Sequence, residues 1–183
     1  SLHPRIRKIS FTGSTEVGRS ILQNSAVNFK RTALELGGKA PQIIFDDANV
    51  AAAVQGAAMG VFFNQGEVCA AGTRILVHRR VFQDVLDGLR GAADAQVVGD
   101  PFEEGTTMGP LVNERQRDRV VSYMRQGADE GAQVVAGGSA VDRPGFFVQP
   151  TVLAGTNDMT DAREEIFGPV GLVVPFDSDD EAV

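Results

Sequence analysis

Short apolar runs alternate with amphipathic segments along the whole chain, and this alternation limits the possible folds more than any other feature. In "RIRKISFT" at 5–12, Ile9 and Phe11 are set against Lys8, Ser10 and Thr12. Extended chains point successive side chains to opposite faces, so this stretch reads as a strand. "RTALEL", "PQIIF", "RILVH" and "AQVVAGG" predict further short strands, "GFFVQPTVL" a longer one and "VGLVVPF" a central one. Helical patterns lie between them. Ser14 or Thr15 can cap a helix with Val17, Ile21 and Leu22 on one side. Asp46-Asp47 stands where a second helix needs a cap, and Val50, Ala53, Val54, Ala57, Ala58, Val61 and Phe62 then recur at three- and four-residue spacing. Val81 to about Ala93 predicts a third helix, with Val85, Leu86 and Leu89 inward. Asn113 and Gln116 have capping-box spacing and open a fourth that carries Val120, Val121 and Met124. "REEIFGP" reads as a helix end or loop. Helices alternating with apolar strands predict an α/β fold with a mostly parallel sheet flanked by helices.

At 183 residues the chain has room for one good-sized core, or for one domain and part of another. It starts at Ser1 and stops in an acidic stretch where a helix begins, so a piece of a longer protein is expected. No run approaches the roughly 20 apolar residues that cross a bilayer, and nothing near the N-terminus has the form of a signal peptide. A cytoplasmic setting without membrane association is expected. The net charge of -7, with no long basic run, argues against nucleic acid as a partner. One cysteine and two histidines are too few for a zinc site, and no protein-bound metal is expected.

The lone thiol, Cys69, follows "NQGEV" and precedes Ala70, Ala71 and Gly72. A free cysteine is either a small buried hydrophobe or a nucleophile, and both readings stand on local sequence alone. Small neighbours leave room for a substrate carbon to reach sulfur. Asn64, Gln65 and Glu67 break the apolar stripe just before it, at a turn whose backbone N–H groups are free for an anion. Glu35 lies between two leucines at a strand end, ahead of Gly37-Gly38. It either points to solvent or faces an apolar cleft, where desolvation would suit it to act as a general base. Gly13-Ser14, between a strand and a helix, is a generic seat for polar cofactor groups, though not a G-x-G-x-x-G fingerprint. Glu164 and Glu165, before Ile166-Phe167, can equally be a solvated helix end.

Taken in order, "FTGSTEVG", "LELGGKAP", "FFNQGEVCAAGTR", "GPLV", "GFFVQPTV" and "EEIFGPV" resemble the aldehyde dehydrogenase superfamily across essentially the whole chain. The resemblance implies an aldehyde-dehydrogenase-like α/β fold. In it, residues 1–38 would be the tail of a Rossmann-like NAD(P)-binding domain and 39–183 most of the catalytic domain, C-terminally truncated. It implies Cys69 as nucleophile, forming a thiohemiacetal and then a thioester, and Glu35 as the base for hydrolysis. Gly13, Ser14 and Gly37 would line the nicotinamide end of the cofactor cleft. Glu165 would hold the nicotinamide ribose, with Phe167 beside it. The implied reaction is oxidation of a small aldehyde to an acid with NAD or NADP, in a homo-oligomeric parent. Glu35 favours hydrolysis over acyl transfer to coenzyme A. Two departures stand out: Glu67 where the family often has Gln, and Arg119 where Lys is frequent. The family's N-terminal portion, with most of the dinucleotide fold and the oxyanion asparagine, is not in this sequence. A catalytically incompetent folded fragment, acting only as a structural or association module, is therefore the alternative expectation.

Overall fold

A computed structural model describes residues 1–183, which divide into two compact units, residues 1–38 and residues 39–183. The first unit contains β1 (Lys8–Gly13), α1 (Thr15–Ser25) and β2 (Arg31–Leu36). β1 and β2 pair in parallel, with Lys8 opposite Arg31, Thr12 opposite Glu35 and Gly13 opposite Leu36. Parallel neighbours need a crossover, and α1 supplies it. Of the two candidate caps, Ser14 is the one used: it is extended, and its hydroxyl accepts from the Val17 N–H at 3.3 Å.

The second unit runs β3 (Pro41–Ile44), α2 (Val50–Phe62), β4 (Arg74–His78), α3 (Phe82–Asp94), α4 (Glu114–Asp129), β5 (Gln133–Ala136), β6 (Thr151–Ala154), α5 (Thr160–Arg163), β7 (Val170–Phe176) and α6 (Asp179–Ala182). Its sheet has the order β3-β4-β7-β6-β5, parallel throughout except for β5 against β6. β7 is central, as its unbroken apolar run predicts. The two-residue period of a strand sends alternate side chains into two cores. Ile75, Val77, Val152 and Val173 pack with Ala57, Val61, Val85 and Leu89 of α2 and α3. Leu76, Leu153, Leu172 and Val174 pack with Val120 and Met124 of α4. A sheet covered on both faces needs no polar alternation.

Two local expectations change. α2 is capped by Asn49, whose side-chain oxygen accepts from the Ala52 N–H at 3.1 Å, and not by the Asp46-Asp47 pair. Asp46 lies too early to cap, and its carboxylate pairs with Arg80 at 2.6 Å. The long strand expected over "GFFVQPTVL" forms only from Thr151. Pro150 has no N–H to give a ladder, and upstream of it a single bridge joins Ala140 and Val148. No helix is long and apolar enough to cross a membrane.

Candidate active site

After α2 the chain passes through a tight turn, Phe63–Gly66, in which Asn64 (φ 50°), Gln65 (φ 57°) and Gly66 (φ 69°) are all left-handed. Each non-glycine residue there costs about 1–2 kcal/mol, so the surroundings must hold the turn. Asn64 Nδ2 donates to the Glu67 carbonyl at 3.1 Å, and the Glu67 N–H returns to the Asn64 carbonyl at 3.0 Å. Gln65 Oε1 accepts from the Gly109 N–H at 3.4 Å and Glu67 Oε1 from the Val112 N–H at 3.3 Å. Glu67 is half-buried, and desolvation pushes its carboxyl above the usual range, offset in part by the bond from Val112. Gly66 meets the backbone of the β7 approach: a Cβ there would lie 2.2 Å from the Gly168 carbonyl oxygen.

Cys69 comes next, exposed, so packing in an apolar core is not its place. Its turn is closed by the Ala71 N–H on the Val68 carbonyl at 3.0 Å, while the N–H groups of Cys69 and Ala70 have no backbone acceptor. Gln42 braces the far side, its amide donating to the carbonyls of Gly72 and Ala57. A sulfur open to attack and an unpaired N–H in one rigid turn can bind a carbonyl carbon and accommodate charge on its oxygen.

The loop after α5 holds Glu165 and Phe167, and α4 fixes it from several points. Asn113 caps α4, accepting from the Gln116 N–H at 2.9 Å. The Gln116 side chain does not complete a capping box. Its amide instead donates to the carbonyls of Ile166 at 3.1 Å and Phe167 at 2.7 Å. Arg119 donates to the Glu165 carbonyl at 2.8 Å. With its main chain held, half-buried Glu165 keeps both carboxylate oxygens free to accept, and Phe167, left-handed at φ 60°, presents a partly exposed ring. Through Gly66 and Gly168, the Cys69 turn and this loop touch within the second unit.

Gly13, Ser14, Glu35 and Gly37 belong to the first unit, all at the carboxyl ends of its two parallel strands, where α/β folds commonly seat ligands. Glu35 is exposed and Gly37 half-buried. The Ser14 hydroxyl accepts from the Val17 N–H of α1, and its own proton stays available. Sequence reading missed Gln42 and Gln116. The only signal for Gln42 is one amide in an otherwise apolar strand. The spacing of Gln116 pointed to a local cap, whereas its partners lie 50 and 51 residues away.

A sequence model described as the aldehyde dehydrogenase family matches residues 1–183. The betaine aldehyde dehydrogenase of Rhizobium johnstonii is 45% identical over 185 residues, covering 99% of this chain and 38% of that protein. The solved NAD+ complex of an aldehyde dehydrogenase from Bacillus cereus superposes with a TM-score of 0.97 at 47% identity, over 99% of this chain and 37% of the other. A betaine aldehyde dehydrogenase from Staphylococcus aureus, solved with NAD+, gives 0.94 at 39% identity, over 98% and 37%. The chain thus spans little more than a third of the length of the relatives it matches.

Proposed function

The chain belongs to the aldehyde dehydrogenase family, and we propose that it carries the nucleophile and the hydrolytic base of an enzyme that oxidises a small aldehyde to a carboxylic acid. One observation carries the reading: an exposed thiol and an unpaired backbone N–H share a turn braced against the loop of Glu165. Residues 39–183 are then the bulk of a catalytic domain and residues 1–38 the end of a cofactor domain. The whole protein is read as a cytoplasmic homo-oligomer using NAD or NADP; NAD+ is what the solved relatives hold.

The residues present suit a dinucleotide. A carboxylate offers two acceptors and no donor, which matches a pair of ribose hydroxyls, and Glu165 has both oxygens free. Phe167 adds an exposed ring face beside it. Gly13 and Ser14 supply a helix N-terminus with a hydroxyl, suited to polar cofactor groups.

In the reaction, the Cys69 thiol gives up its proton to solvent, its sulfur attacks the aldehyde carbon to form a thiohemiacetal, and the Cys69 N–H donates to the developing oxyanion. Loss of hydride, for which bound NAD supplies the acceptor, leaves a thioester on sulfur. Glu35 takes a proton from water, the hydroxide attacks the thioester carbon, and the acid departs as the sulfur regains its proton.

The test uses the full-length protein. Cys69→Ala should remove both aldehyde oxidation and ester hydrolysis, because both pass through the acyl-sulfur intermediate. Glu35→Gln should keep one fast burst of NADH and lose steady turnover, because acylation proceeds while hydrolysis stalls. Turnover surviving Cys69→Ala would identify a different nucleophile, and equal loss of burst and steady state would make Glu35 structural.

A further inference from the structure

α5 begins without a cap of its own. Met159 holds the N-cap position, but its side chain is buried in the core and offers the first turn no acceptor. The far end of α4 supplies the acceptor instead. Glu130, at the C-cap of α4, accepts from the Thr160 N–H at 2.7 Å with Oε2 and from the Thr160 hydroxyl at 2.6 Å with Oε1. The Gln126 amide donates to both partners, to Glu130 Oε1 at 3.0 Å and to Thr160 Oγ1 at 3.1 Å. Three of these four bonds end on a carboxylate, which makes them the stronger kind. The hydroxyl and then the N–H of Thr160 hold the Glu130 carboxyl below its usual range, so the acceptor is ionised at neutral pH. Beneath the bonds the two helices lie close. A Cβ on Gly127 would stand 2.1 Å from Asp161 Oδ2 and 3.0 Å from Leu153 Cδ1, so a side chain there would push α5 off α4.

Thr160 passes this hold onward. Its carbonyl accepts from the Glu164 N–H at 2.9 Å, one residue short of Glu165. Ala162 and Ile166 pack inward, whereas Arg163 and Glu164 are exposed and take their order from that bond to Thr160. Beyond it, Arg119 takes the Glu165 carbonyl and Gln116 those of Ile166 and Phe167. Gln116, Arg119, Gln126 and Glu130 follow one another at steps of three, seven and four residues, so they fall along one face of α4. A single stripe of that helix thus grips residues 160–167 at both ends.

We propose that Glu130, Gln126 and Thr160 form a positioning clasp for the loop that carries Glu165 and Phe167. The clasp fixes the upstream end of the segment whose downstream end Arg119 and Gln116 hold, and so sets where the Glu165 carboxylate stands. That this loop meets a cofactor rests on the role given to Glu165 above; the hold on the loop does not.

The experiment compares Glu130→Ala, Thr160→Ala and Thr160→Ser with the wild type. Amide hydrogen exchange is read residue by residue on the full chain, at Glu164, whose N–H depends on the Thr160 carbonyl, with α3 as the reference. Glu130→Ala should speed exchange at Glu164 about tenfold and change α3 less than about twofold. Thr160→Ala keeps the N–H but loses the hydroxyl and should give a smaller rise, about threefold. Thr160→Ser keeps both donors and should match the wild type. Adding Thr160→Ala to Glu130→Ala should change exchange less than about twofold further, because the hydroxyl has already lost its carboxylate. In the full-length enzyme, Glu130→Ala should raise the dissociation constant for NAD about fivefold. Ester hydrolysis without cofactor needs the thiol and the base but not Glu165, and it should stay within about twofold. Unchanged exchange at Glu164 in Glu130→Ala, a rise shared equally by α3, a Thr160→Ser variant no better than Thr160→Ala, or ester hydrolysis lost together with NAD affinity overturns the proposal. Faster exchange at Glu164 with NAD affinity unchanged upholds the clasp and removes Glu165 from the cofactor site.

Discussion

Two residues before Cys69, Glu67 is a carboxylate held half out of water. Its one intramolecular bond, to the Val112 N–H, needs only an acceptor, which a glutamine oxygen also provides. The folded carboxyl titrates above its ordinary range because of burial. A raised acid contributes stability that is complete below its unfolded pKa and lost as pH rises through the folded one. Glu67→Gln should therefore raise the urea midpoint at pH 8 by a small amount, less than about 1 kcal/mol given partial exposure, with the gain gone at pH 4. A gain that persists at pH 4 would mean that desolvation of the charge is not its source. At this scale, the sequence marked Cys69 and Glu35 by residue type and neighbours but left their exposure open. Burial depends on what the rest of the chain brings near, which no local spacing encodes.

Among the elements, α4 does the most to shape the site, and its two kinds of bond can be separated. Asn113 acts on the helix itself, satisfying an N–H that would otherwise be orphaned. Asn113→Ala should lower unfolding stability by about 1 kcal/mol, seen as a shifted urea midpoint with an unchanged slope, and leave cofactor affinity nearly intact. Gln116 acts across the fold, on the Ile166 and Phe167 carbonyls. Gln116→Ala should change stability little, since Phe167 is partly exposed, but raise the KM for NAD by about fivefold, the equivalent of one hydrogen bond. If the two variants behave alike, α4 is a core helix and not a support for the loop. The helix was legible from Val120 and Met124 at helical spacing. Its second task was not, because Gln116 shows the same sequence pattern whether its amide turns back to its own cap or outward to a distant loop. "GFFVQPTVL" failed in a related way: periodicity promised a long strand, and the missing N–H of Pro150 took precedence.

Across the molecule, apolar burial is distributed unevenly between the two units, and folding should follow it. Every member of both cores lies between Ile44 and Ala182. In residues 1–38 only Gly18, Ser25 and Lys30 are buried, while Val17, Leu22 and Phe29 are 45%, 54% and 92% exposed. Chains below about 40 residues rarely fold without a staple such as a disulfide or metal, and the only cysteine is in the other unit. A protein of residues 37–183 should thus unfold cooperatively, with a urea midpoint within about 10% of that of the full chain. A peptide of residues 1–38 should give the circular dichroism of a coil, since α1 has only 11 residues and isolated helices shorter than about 12–15 are marginal. Failure of residues 37–183 to fold, or a stably helical peptide of residues 1–38, would mean that the sheet of β3 to β7 does not carry the stability of this chain.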